Sequence, residues 1–130
     1  MSAPMNAHWA EDYIGLPWST GFTCWDFAVR IWAERFGWQV SPVDIEPADP
    51  RGVRRGFEAG GERARWQEVA HPCEGDGVLM GLGNRPCHVG VWLDLGGVLH
   101  SIEGAGGIFT PKARLGDLGY RQFGIYRRCG

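Results

Sequence analysis

The chain has 130 residues, enough for one domain with a buried core and too few for an enzyme domain plus a separate targeting module. Hydrophobic residues make up 44% and there are seven Trp, which excludes a disordered or fibrous chain. A net charge of −2 leaves no electrostatic footprint for nucleic acid, so no nucleic-acid partner is expected.

Lys112 is the sole lysine, and with 21 glycines this bias reads as the base composition of a GC-rich genome. It is given no functional weight. No apolar stretch approaches the length of a bilayer span, so no membrane span is expected. The start, MSAPMNAHWAEDY, lacks a basic segment followed by an apolar one and predicts no secretory signal. The expectation is a protein made in a cytoplasm that stays there or leaves by another route. Cys24, Cys73, Cys87 and Cys129 are scattered and form no C-x-x-C pair, so reduced, packed thiols are expected rather than a disulfide framework.

Residues 9–23 read as a short amphipathic turn and then a loop rich in Gly, Pro, Ser and Thr. Cys24, Phe27, Ala28, Ile31 and Trp32 then recur at helical spacing, while Asp26, Arg30 and Glu34 occupy the opposite face. Thr23 suits the N-cap, Asp26 completes a capping-box-like start, and Gly37 suits the stop. A helix over 24–36 is predicted. Three prolines make 41–52 a loop, and a short helix near 51–59 with a solvated arginine face follows.

The second half predicts strands at 77–82, 88–94, 97–102, 107–110 and 120–127, with a hairpin turn at 94–97. No repeat or low-complexity tract interrupts residues 1–130, which read as a single domain. A helix followed by an antiparallel sheet of about five strands is an α+β order.

Cys24 falls in the first helical turn, where unpaired N–H groups and the helix dipole favour an anion and ease ionisation of a thiol. The plain alternative is a small residue packed on an apolar face. A nucleophilic Cys needs a base, and His88 and His100 lie on successive predicted strands twelve residues apart. That separation can place both on one sheet face, although an ideal ladder would leave them a few residues apart.

Four segments resemble the NlpC-like cell-wall endopeptidases, a papain-like group of cysteine peptidases. YIGLPWSTGFTCWDF resembles the family's lead-in to its nucleophile, and GDGVLM its first core strand after a Gly-Asp turn. CHVGVWLD resembles the base-bearing strand, and GVLHSIEG the strand with the third polar residue. The likeness runs from about Tyr13 to Arg127, with 38–65 contributing least. Cys followed by Trp, with GDGVLM and a terminal Tyr-Arg strand, is most similar to the tail-tip peptidases of tailed phages.

The resemblance implies a papain-like domain with Cys24 as nucleophile, His88 as base and His100 orienting the His88 ring. The Cys24 backbone N–H would help form an oxyanion hole. Trp18 stands where the family usually has a Tyr, Thr23 where it has Asp, and Asp26 where Gly is common. An indole N–H at Trp18 can donate to an oxyanion or substrate but does not mimic the hydroxyl fully. The implied reaction is amide hydrolysis in peptidoglycan stem peptides, commonly between D-glutamate and diaminopimelate. No cofactor is implied. The implied setting is a virion tail tip assembled in a host bacterial cytoplasm, with a tail-hub or tail-fibre protein as partner.

Three other readings stay open. His71, Cys73, Cys87 and His88 form an H-x-C…C-H set of zinc-compatible ligand types, though not at a standard finger spacing. A structural tail-tip subunit could keep the fold with catalysis weak or lost. A host acyltransferase or amidase would use the same Cys and His. His8 is expected to be incidental, and Glu103 to lie at a solvated turn or line the cleft. The seven Trp are expected to be shared between core and an interface.

Overall fold

The structure, a computed structural model, describes residues 8–40, 66–83 and 85–128. Its elements are helix α1 (Cys24–Phe36) and strands β1 (Trp66–Val69), β2 (Gly77–Leu82), β3 (Arg85–Leu93), β4 (Gly97–Ile102), β5 (Gly106–Pro111) and β6 (Tyr120–Arg128). Short 3-10 turns cover Trp9–Tyr13 and Lys112–Leu118. The sheet runs β1-β6-β2-β3-β4-β5, and every pairing is antiparallel. The α+β class is as the sequence predicts.

Helix α1 begins and ends where its residue types require. The Asp26 carboxylate accepts from the Thr23 N–H at 3.0 Å and from the Thr23 hydroxyl at 3.1 Å. Gly37 ends the helix at φ 70, a left-handed conformation that costs glycine least. The polar face carries the Arg30–Glu34 pair at 3.3 Å. Cys24, Trp25, Phe27, Ala28, Ile31 and Trp32 are buried against the sheet face that presents Leu79, Val89, Val91, Leu93 and Leu99. Each large apolar side chain fully buried there contributes roughly 1.5–3 kcal/mol.

A smaller cluster of Val78, Met80, Trp92, Val98 and Leu115 covers the opposite sheet face under the second 3-10 turn. The sheet is therefore buried on both sides, which explains why GVLMGL is apolar throughout rather than alternating.

Two expectations change. The sheet has six strands, because Trp66–Val69 adds an edge strand beside β6. That segment is four residues long and buries only Trp66 fully, so it offers no alternation to read. The strand predicted from His88 begins at Arg85, and Asp94 belongs to the turn, closed by the Gly96 N–H on the Leu93 carbonyl at 2.9 Å. The loop at 41–52 and the helix near 51–59 lie outside the described residues.

All seven Trp are described and none is exposed. Trp25, Trp32, Trp66 and Trp92 belong to buried clusters, and Trp9, Trp18 and Trp38 are half-buried. The tryptophans build the core and its rim.

Asp76, in the turn before β2, is 1% exposed and ties that turn to β6. Its carboxylate accepts from the Cys73 N–H at 2.7 Å and from Arg127 Nε and Nη2 at 3.2 and 2.9 Å. Removing it leaves a backbone N–H and a guanidinium without that acceptor. Asp76→Ala is expected to lower stability by about 1–3 kcal/mol in denaturant unfolding, with Asp76→Asn intermediate.

Candidate active site

Helix α1 delivers Cys24 to one end of the sheet. The preceding loop is closed by paired hydrogen bonds between Ser19 and Phe22, of 3.2 and 3.1 Å, which brings Trp18 and Thr23 beside it. A cavity of about 260 Å³ opens at this point. Trp18, Thr23, Cys24, Cys87, His88 and Tyr120 line it, and Glu103 stands on its wall near Ser101 and Ile102.

His88 Nε2 lies 2.7 Å from His100 Nδ1, and His100 Nε2 lies 2.9 Å from Thr110 Oγ1. The β3–β4 register pairs Val91 with Leu99 and Trp92 with Val98. Continued, it sets His100 opposite Gly90 and His88 one diagonal step away, on the same face. Gly90 makes that step short enough. A Cβ there would collide with Val98 and lie 2.9 Å from His100 Cβ, in the space through which the rings meet.

The polarity of this chain decides what His88 can do. With Nε2–H donating to His100 Nδ1, and His100 Nε2–H donating to the Thr110 hydroxyl oxygen, His88 Nδ1 carries a free lone pair. In that tautomer His88 accepts a proton at Nδ1, and His100 stabilises the resulting imidazolium by accepting the His88 Nε2–H at its own Nδ1. Thr110, on β5, was not singled out from the sequence. A threonine in a strand carries no signal until its register is known, here Thr110 opposite Val98.

Electrostatics hold the resting site neutral. Burial pushes the His88 pKa well below its usual value, helped by the charge His100 can carry, and burial alone brings His100 down to about 4. Burial also pushes the Cys24 thiol up to about 11, with smaller upward contributions from Cys87 and Asp26. The backbone N–H groups of Val89 and Trp25 favour the thiolate and oppose this without overcoming it. The eased ionisation expected from the helix N-terminus is thus reversed, because desolvation outweighs the dipole.

The structure brings Cys24, His88 and Trp18 to one cavity and joins His88 to His100. It does not join Cys24 to His88: among the described residues no hydrogen bond links the sulfur to the imidazole, whose Nε2 is engaged by His100. Cys87, which sits where the β2–β3 register shifts, also lines the cavity.

The zinc-type set does not assemble. Cys73 is exposed, Cys87 and His88 line the cavity, and no group of three or more His, Cys, Asp or Glu among the described residues could hold a metal ion. His8 caps the first 3-10 turn, its Nδ1 accepting from the Ala10 N–H at 3.0 Å, so it has a structural task.

Two measurements follow from these groups. His100 has a lower pKa folded than unfolded, so the unfolded chain binds more protons between about pH 6.5 and 4. Stability is expected to be full above pH 6.5 and to fall by on the order of 2–3 kcal/mol as the pH drops to 4. His88, lowered likewise, adds to that slope, so His100→Gln should reduce it without abolishing it in thermal unfolding at stepped pH. Thiol alkylation at pH 7 should label exposed Cys73 well before Cys24, and Cys24 labelling should still be accelerating above pH 9.

In comparison with known proteins, no family model matches this chain, and no curated protein matches it significantly.

Proposed function

We propose that the chain is a cysteine peptidase of the NlpC-like, papain-related kind that hydrolyses an amide bond in peptidoglycan stem peptides. The observation that carries this reading is the hydrogen-bonded chain Thr110–His100–His88 ending in a cavity that Cys24 also lines. A packed core has no use for two buried imidazoles bonded to each other beside a thiol at a helix N-terminus.

In this mechanism the substrate amide enters the cavity and Cys24 turns its sulfur toward His88. His88 Nδ1 takes the thiol proton as sulfur attacks the carbonyl carbon. The two steps are coupled, because the resting pair is neutral. Backbone N–H groups of the first turn of α1, with the Trp18 indole N–H, would receive the oxyanion. Collapse gives a thioester, and the proton on His88 passes to the departing amine. Water then attacks the thioester with His88 again as base, releasing the acid and restoring the thiol.

The tail-tip setting, the hub or fibre partner and assembly in a host cytoplasm are proposed on the sequence resemblance alone. No helix among the described residues is long and apolar enough to cross a membrane.

One observation favours a second reading. Cys24 is not bonded to His88 and its thiol is held neutral, as a structural subunit with silenced chemistry would have it. Digestion of purified peptidoglycan separates the two. The peptidase reading expects wild-type protein to release stem-peptide fragments and Cys24→Ala to release none. His88→Ala should lose about 100-fold or more, and His100→Ala about 10-fold, because it acts through the His88 ring. Fragment release by Cys24→Ala at the wild-type rate would sink the assignment. A wild-type protein inert alone and with its tail partners would establish the structural reading. Since His88 stays unprotonated well below pH 6.5, kcat/KM should hold its pH 7 value at pH 6.

A further inference from the structure

His88 is held by His100 at one nitrogen only, and a single hydrogen bond leaves an imidazole free to swing about that contact. The rest of the restraint comes from β6. The Tyr120 ring lies nearly parallel to the His88 ring, 4.6 Å between centroids at 11°, and meets His100 edge-on at 6.0 Å and 81°. Tyr120 also lines the cavity and packs against the Val78, Met80, Trp92, Val98 and Leu115 cluster, so its own position is braced from behind. It opens β6, opposite Leu82, and so arrives 32 residues after His88 from the other side of β2.

We infer that Tyr120 is a positioning residue for His88: its ring closes one face of the imidazole, fixes the ring plane and keeps Nδ1 turned to the cavity. The inference rests on the reading of His88 as the base. Two consequences belong to the stack. It bars water from one face of the His88–His100 hydrogen bond, so the tautomer with the proton on Nε2 is maintained. When His88 takes a proton, the new cation sits over the electron-rich face of the phenol, which stabilises it as proton transfer proceeds. The ring supplies both effects and the hydroxyl supplies neither, so phenylalanine should substitute and an aliphatic residue should not. The other ionisable groups are His100, bonded to His88, and Cys24, Cys87 and Glu103 of the cavity wall, and each is unchanged in either variant.

The test compares wild type, Tyr120→Phe and Tyr120→Leu in the full chain, by kinetics on peptidoglycan and by nitrogen-15 NMR of the histidine rings. Tyr120→Phe should keep kcat within about threefold, and Tyr120→Leu should lose about 10-fold or more in kcat with KM nearly unchanged. Wild type and Tyr120→Phe should show His88 in the Nε2–H tautomer with an upfield ring-current shift. Tyr120→Leu should show mixed tautomers and lose that shift. Should Tyr120→Leu fail to fold, cross-peaks between the Tyr120 and His88 rings in wild type decide the stack, and their absence overturns the inference. Wild-type kcat in folded Tyr120→Leu, or an unchanged His88 tautomer there, also overturns it. Full activity in His88→Ala would instead remove the base reading, with the ring stack still read independently by NMR.

Discussion

The seat of α1 on the sheet is the constraint from which the site follows. Trp25, Phe27, Ala28, Ile31 and Trp32 have no exposed surface, and the Trp32 indole N–H donates to the Gly75 carbonyl at 2.8 Å. Apolar burial sets the depth of the helix, and that one directed bond helps set where it sits along its axis. Cys24 is the first residue of α1, so its place beside β3 is a by-product of packing two turns further on. The Tyr13 hydroxyl, donating to Glu34 at 2.6 Å while accepting from Arg35 at 3.2 Å, ties the N-terminal segment to the outer face of the same helix.

Burial that secures the helix also governs the chemistry. The same desolvation raises the Cys24 thiol and lowers both histidines, so the groups rest as neutral partners rather than as an ion pair. A site of this kind is quiet until something polar enters it. In the proposed reaction an entering amide would offer the developing oxyanion to backbone donors and the developing imidazolium to His100, so charge separation would become favourable only with substrate in place. Buried polar groups are costly when unpaired, and the Thr110–His100–His88 chain answers that cost.

Much of the framework was legible in local chemistry. The spacing of Cys24, Phe27, Ile31 and Trp32, the Thr23–Asp26 start and the Gly37 stop each act within a few residues, and the helix falls at 24–36 as they require. Five of the six strands were legible for a similar reason: β-branched and apolar runs between Gly-rich turns report themselves. Trp66–Val69 was not, because an edge strand of four residues with two exposed positions has no pattern of its own. Within the site, Cys24, His88 and His100 stood out by residue type and order. Thr110 and Tyr120 did not, since neither is unusual for a strand and both acquire a role only from neighbours far along the chain.

The sequence by itself determined helix α1, five of the six strands, their α+β order and which side chains had reactive chemistry to offer. Those properties depend on residue type and short-range periodicity, which survive without knowledge of the fold. Tertiary structure alone decided that His88 and His100 sit 2.7 Å apart, because that depends on the β3–β4 register and on a glycine at position 90. It alone decided that β6 lies beside β2 and sets Tyr120 on the His88 ring. It also decided the protonation of Cys24. A helix N-terminus argues for a thiolate, but the depth at which that terminus is buried argues more strongly for a thiol. Burial depth is a property of the whole packed chain, and no window of sequence contains it.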